Sequence, residues 1–190
     1  MPPATRARFA QSILEEVKRL PSSSRLAIER CCGDAWDRIE QSQPVSWLDE
    51  ATYNALTEAI RAELGDAQTR NLYRALGRRI IHNPGLQQFI ESVIRLFGMS
   101  PHTLLKATPR GRDSLVRDSG TLFYENVGPR SARLILRDFP PSTFRSGTTV
   151  ILLSGTFLGL LDAAGMQHSA KIAMTDVDLQ AGNATFNLSW

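Results

Sequence analysis

The sequence predicts an α+β fold: an N-terminal helical bundle packed on a small antiparallel sheet, with β-β-α-β-β order in its C-terminal part. Three observations predict it. Apolar residues recur at helical spacing through the N-terminal half, as in Phe9, Ile13, Leu14 and Val17. A two-residue alternation runs over Ser131 to Phe139, with Ala132, Leu134 and Leu136 against Arg133, Ile135 and Arg137. The stretch Gly147 to Ala164 is apolar nearly all round, the pattern of a buried helix. The expected organisation is one domain over 1–190, with a helical part (1–108) and a sheet-containing part (119–190).

Each element has its own local signals. Pro21-Ser22-Ser23-Ser24 ends the first helix, and a second is expected from about Arg25 through Ile39, with Leu26, Cys31, Ala35 and Ile39 as its stripe. Ser46 is placed as the N-cap of a third, with Asp49 and Glu50 where the helix dipole favours acids, and Gly65 closes it. A fourth runs from Asp66 through Leu72, Leu76 and Ile80 to Asn83-Pro84-Gly85. A fifth covers Leu86 to Phe97 before Gly98. Pro101 opens a short sixth that is expected to end before Pro109. Strands are expected at Gly120–Val127 and Ser131–Phe139, then the apolar helix, then Ser169–Val177 and Asn183–Trp190 joined at Gly182-Asn183. Gly155 and Gly159 share one face of the apolar helix and permit close approach of another element.

The chain has 190 residues, 42% hydrophobic and 22% charged, which excludes a disordered chain, a collagen and a coiled-coil rod. Its net charge of +3 is a weak field for a dedicated nucleic-acid binder. The excess is local: between Lys106 and Arg145 eight basic residues face four acidic ones. Cys31 and Cys32 are the only cysteines and are adjacent, so no disulfide framework or C-x-x-C zinc site is available. With no apolar leader and no run long enough to span a bilayer, a cytoplasmic location is expected.

Catalytic motifs are missing. There is no G-x-S-x-G elbow, no phosphate loop and no G-x-G-x-x-G, and His82, His102 and His168 are widely separated. Asp176 and Asp178 on one strand face lack a third ligand for a hard cation. Arg133 and Arg137, four apart on a strand, share a face and with Arg130 and Arg145 could receive a carboxylate or phosphate; Arg78-Arg79 is a second such pair. Tyr124, Arg133, Arg137 and Phe157 are the candidate ligand-binding residues.

The segment Gly155-Thr156-Phe157-Leu158-Gly159-Leu160-Leu161-Asp162-Ala163-Ala164-Gly165, followed by the closing strand Phe186-Asn187-Leu188-Ser189-Trp190, carries a resemblance. It resembles the superfamily containing haem nitric-oxide/oxygen-binding domains, four-vinyl-reductase domains and TRAPP transport-particle subunits. More narrowly, Leu64-Gly65, Leu76-Gly77-Arg78, Phe97-Gly98, Leu105 through Pro109-Arg110, Gly120 and Ser189-Trp190 resemble a paralogous family expanded in myxobacteria. The resemblance implies a pocket between helices and sheet, without naming its ligand. In haem-binding members a histidine ligates the iron and a Tyr-x-Ser-x-Arg holds the propionates. Carried over, this implies His102, Ser131 and Arg133, with Pro129 where the tyrosine would stand.

The expected function is that of a non-enzymatic sensory or regulatory domain. It binds a small, largely apolar ligand between the sheet and the Gly147–Ala164 helix, and so alters a protein partner. The alternatives are a dimerising TRAPP-like adaptor and a haem gas sensor using His102.

Overall fold

The computed structural model describes residues 2–79, 92, 95, 98–144 and 146–190. The expected break at Asn83-Pro84-Gly85, most of the expected Leu86–Phe97 helix, His82 and Arg145 lie outside them.

The chain begins with strand β1 (Ala4–Arg6), followed by helices α1 (Ala7–Val17), α2 (Ser22–Cys32) and α3 (Asp34–Gln41). The single helix expected over Arg25–Ile39 is thus two, because Gly33 adopts φ +56° and breaks the ladder. Strand β2 (Trp47–Asp49) precedes α4 (Glu50–Arg79), which is kinked at Gly65 (φ +70°, ψ +171°). The cap of α4 is Asp49, whose carboxylate accepts the Thr52 N–H at 2.8 Å; Ser46 instead donates to Gln43 O. The Thr52 N–H, chiefly, with the Thr52 hydroxyl and the nearby Arg38, holds the Asp49 carboxyl below its usual pKa.

Helix α5 (Pro101–Asp113) is capped by the Ser100 hydroxyl, which accepts the Thr103 N–H. It passes through Pro109 rather than ending before it. Tertiary contacts override the lost backbone bond: Arg112, beyond the proline, donates to the Gly120 and Ser119 carbonyls. Strand β3 (Val116–Arg117) joins β1 and β2 in a three-stranded sheet of order β2-β1-β3, which the sequence reading did not anticipate. The Arg6 and Arg117 guanidinium groups lie 3.9 and 4.6 Å from the Trp47 ring centre.

The main sheet holds β4 (Thr121–Gly128), β5 (Ser131–Arg137), β6 (Lys171–Asp178) and β7 (Asn183–Ser189), all antiparallel in the order β4-β5-β7-β6. Between β5 and β6 come the short α6 (Pro141–Phe144) and α7 (Thr148–Ala163). The alternation in β5 holds: Ala132, Leu134 and Leu136 are buried, while Arg133 and Arg137 are exposed. The β6–β7 turn occupies 179–182, so Asn183 already belongs to β7. With its register shift between Thr175 and Asp178, β6 is irregular where Asp176 and Asp178 were expected to pair on one face. Asp178 instead accepts the Gln180 and Ala181 N–H groups.

Two apolar cores result. One joins α1–α4, with Ile13, Ile28, Ile39, Leu56, Ile60 and Tyr73. The other joins the sheet to α7, with Leu134, Leu136, Phe157, Phe186 and Leu188; Phe157 meets Phe186 edge-on at 5.2 Å. Helix α7 contributes to both, through Leu152 and Phe157 respectively.

The contact between α7 and the second half of α4 is backbone to backbone. A Cβ on Gly155 would press into the Arg70 carbonyl oxygen, and one on Gly159 would meet Gly77 Cα at 2.8 Å. Beside this seam Arg74 Nε and Nη2 each donate to the Asp162 carboxylate at 2.7 Å. That hydrogen-bonded carboxylate raises the Arg74 pKa.

Gly155→Ala is therefore expected to destabilise the fold by about 3 kcal/mol through overpacking, read as a lower denaturation midpoint. Thiol titration of the native protein should count one rapidly reacting group. Cys31 is exposed, whereas Cys32 is buried with its thiol pushed up to about 11, mainly by burial.

Candidate ligand-binding site

A hollow of about 160 Å³ lies where the two cores meet. On the same scale an ordered water needs ~10–15 Å³, and an apolar cavity of ~150 Å³ takes benzene. Its wall is built from Phe9 of α1, Tyr53 and Tyr73 of α4, Leu104 of α5, and Leu153 and Phe157 of α7, among others. The α5 positions 104, 108 and 111 in the wall follow helical spacing.

Most polar groups of the wall are turned away or paired. Thr108 donates to Leu104 O, Thr156 to Leu152 O and Ser119 to Arg117 O. Glu50 accepts the Ser142 hydroxyl at 2.9 Å. Arg112 spends N–H groups on the Ser119 and Gly120 carbonyls, and its guanidinium lies 4.7 Å from the Phe139 ring centre. Burial lowers its pKa from the usual arginine value.

Tyr73 is different. The residue is 1% exposed and its buried hydroxyl has no hydrogen-bond partner. Its near neighbour is the hydroxyl of Tyr53, whose ring stacks on Phe9 at 6.3 Å. The two phenols interact, and each shifts the other's titration. Burial raises both pKa values, so both stay protonated donors.

Of the four residues expected to bind ligand, Phe157 alone lines the hollow. Tyr124 meets His102, its hydroxyl 2.6 Å from Nδ1, and burial raises the Tyr124 pKa. Arg133 lies on the outer face of the sheet, its side chain 45% exposed, bonding Asn187 Oδ1 at 3.0 Å and Glu125 at 3.5 Å. Arg137 shares that outer face, and Ser131 begins the same row. Of the second arginine pair, Arg79 bonds Glu16 and Arg78 lies 3.8 Å from Asp162.

The tyrosine pair was missed by sequence reading. The available signal was a tyrosine inside the buried stripe Thr69, Leu72, Tyr73, Leu76.

No family model and no curated protein matches the sequence. Solved structures do match. An Fe(II) unliganded H-NOX protein from K. algicida superposes with TM-score 0.64 at 9% identity, covering 97% of this chain and 95% of that one. A mutant H-NOX domain of T. tengcongensis gives TM-score 0.59 at 10% identity, covering 97% and 96%. An oxygen-binding H-NOX domain related to soluble guanylate cyclases gives 0.55 at 10%, covering 94% and 91%. The likeness establishes the fold: this chain has the α+β fold of the haem-NO-binding domains.

The residues present do not fit the haem set carried over from the resemblance. His102 is outside the wall of the hollow. Both its ring nitrogens are engaged, Nδ1 with Tyr124 and Nε2 with Gly128 O at 3.0 Å, and the ring packs on Trp190 at 4.8 Å. Arg133 and Ser131 stand on the far side of the sheet. Among the described residues the wall holds no His, Cys or Met, and no group of three or more His, Cys, Asp or Glu could hold a metal ion.

Tyr73→Phe removes a buried hydroxyl without breaking a hydrogen bond. Ligand-free protein carrying it should be as stable as the parent or more stable by about 1 kcal/mol, measured by chemical denaturation.

Proposed function

We propose that residues 1–190 act as one non-catalytic sensory domain, built on the H-NOX fold, that takes a small and largely apolar molecule into the hollow between its two cores. The hollow itself carries the reading: a half-open pocket of about 160 Å³, walled by both cores and almost wholly apolar, leaves hydrophobic surface that an occupant would cover. Occupancy stabilises the liganded arrangement by mass action, and because α7 serves both cores it couples to their relative packing. A protein partner that senses this packing would receive the signal. Among the described residues no helix is long and apolar enough to cross a membrane.

A haem gas sensor is the second reading, favoured by the H-NOX fold of the solved neighbours. A haem here would need ligation other than the His102, Ser131 and Arg133 set, whose placement does not serve the hollow.

Two measurements separate these readings. Toluene should raise the melting temperature of the parent by a few degrees, and Leu153→Trp, which fills the hollow, should abolish the shift. Absence of any shift, together with no retained small molecule in native mass spectrometry, would overturn the proposal. Titration with haem is expected to give no saturating one-to-one Soret band; such a band would support the second reading.

A further inference from the structure

The shape of the hollow narrows the class of ligand, given that the hollow is the binding site. On α7 the wall positions are 149, 152, 153, 156, 157 and 160, and on α5 they are 104, 107, 108, 111 and 112. Both sets follow the i, i+3, i+4, i+7 spacing of a single helix face. At about 1.5 Å per residue the α7 stripe is about 16 Å long and the α5 stripe about 12 Å. A hollow of about 160 Å³ drawn out along such stripes is a slot rather than a rounded chamber. Its two ends are unlike. The charged residues of the wall, Glu50 and Arg112, are held beside the segment that leads into α7: Glu50 accepts the Ser142 hydroxyl of α6, and the Arg112 guanidinium lies 4.7 Å from the Phe139 ring centre. Arg112 is half-buried, as are Thr149 and Leu153 near the start of α7. About two turns back along α5 from Arg112 stands Leu104, 4% exposed, and about three turns along α7 from Thr149 stands Leu160, 6% exposed. Charge and access to solvent lie toward one end of the slot, and buried apolar wall toward the other.

We propose that the ligand is an unbranched aliphatic chain with one polar group at its end, lying lengthwise between the facing stripes of α5 and α7. C–C bonds of about 1.5 Å advance a zigzag chain by roughly 1.3 Å each, so about eight to ten carbons with a terminal oxygen occupy the length of the stripes. The methyl end points to Leu104 and Leu160, and the polar end stays at the half-exposed Glu50 and Arg112 end. Each methylene laid in the slot leaves water, so affinity grows with chain length until the slot is full. A compact molecule of equal carbon count is wider than the slot and must force the stripes apart.

The probes are n-hexanol, n-octanol, n-decanol, n-dodecanol and adamantanol, the last matching n-decanol in carbon count and hydroxyl but not in shape. Their affinities are to be measured by calorimetry on the full chain. Affinity should rise roughly three- to fourfold per methylene from n-hexanol to n-decanol and then level off. Adamantanol should bind more weakly than n-decanol, on the order of tenfold or more. Ala107→Phe narrows the slot midway and should end the gain at a shorter chain; Leu104→Ala opens its buried end and should carry the gain to a longer one. Denaturation midpoints report whether each variant is folded, and the parent series decides by itself should either fail. Equal affinity for n-decanol and adamantanol, or a length limit indifferent to folded variants, would overturn the assignment while leaving the hollow as a binding site, which the toluene shift reports separately. Failure of toluene and of every alcohol to bind the parent would remove the site and the assignment with it.

Discussion

The structure depends on one contact, the backbone-to-backbone packing of α7 on the second half of α4. Gly155, Gly159 and Gly77 supply the missing side chains that let the two helices touch. At this distance a polar group beside the seam is cut off from water, so the Asp162 carboxylate, 1% exposed, must be paired within the protein. Arg74 pairs it through two parallel bonds, and losing such a partner typically costs about 3–5 kcal/mol. The ion pair meets the need of a buried carboxylate and joins α4 to α7 beside the glycine seam.

That fixed seam explains why a hollow survives. Helix α7 is held to α4 on one side and to the sheet on the other, where Phe157 packs on Phe186. It cannot move toward either core without leaving the other. Helix α5 lines another side through Leu104, Ala107 and Thr108 and is itself tied down through Arg112 to the carbonyls before β4. Collapse onto the hollow would break contacts of α7 and α5 on their other sides.

Much of this organisation was legible in the residues. The β5 alternation and the uniform apolarity of α7 are patterns of burial, and burial is what hydrophobic periodicity reports. The notch glycines were legible too, because nothing else on a buried helix needs them. The small sheet was not: β1, β2 and β3 have two or three residues each, too few to show a period. Pro109 misled because a local breaking rule yields when the residues beyond it are anchored elsewhere, as Arg112 is. The site was the least legible part. Tyr53 and Tyr73 lie on opposite sides of Gly65 and meet only because the chain kinks there. Arg133, prominent in the sequence, proves to be a cross-strand group on the watered face.

That arginine belongs to a row of side chains crossing every seam of the main sheet. Glu125 meets Arg133, Arg133 meets Asn187, and Asn187 donates to Thr175 at 2.9 Å. Sliding any strand by one residue would break the row and invert the strand's greasy and wet sides together. The four strands are thus pinned into a plate with little internal shear. The sheet therefore meets α7 as one unit, with Phe186 and Leu188 of β7 and Leu134 and Leu136 of β5 presented to it together.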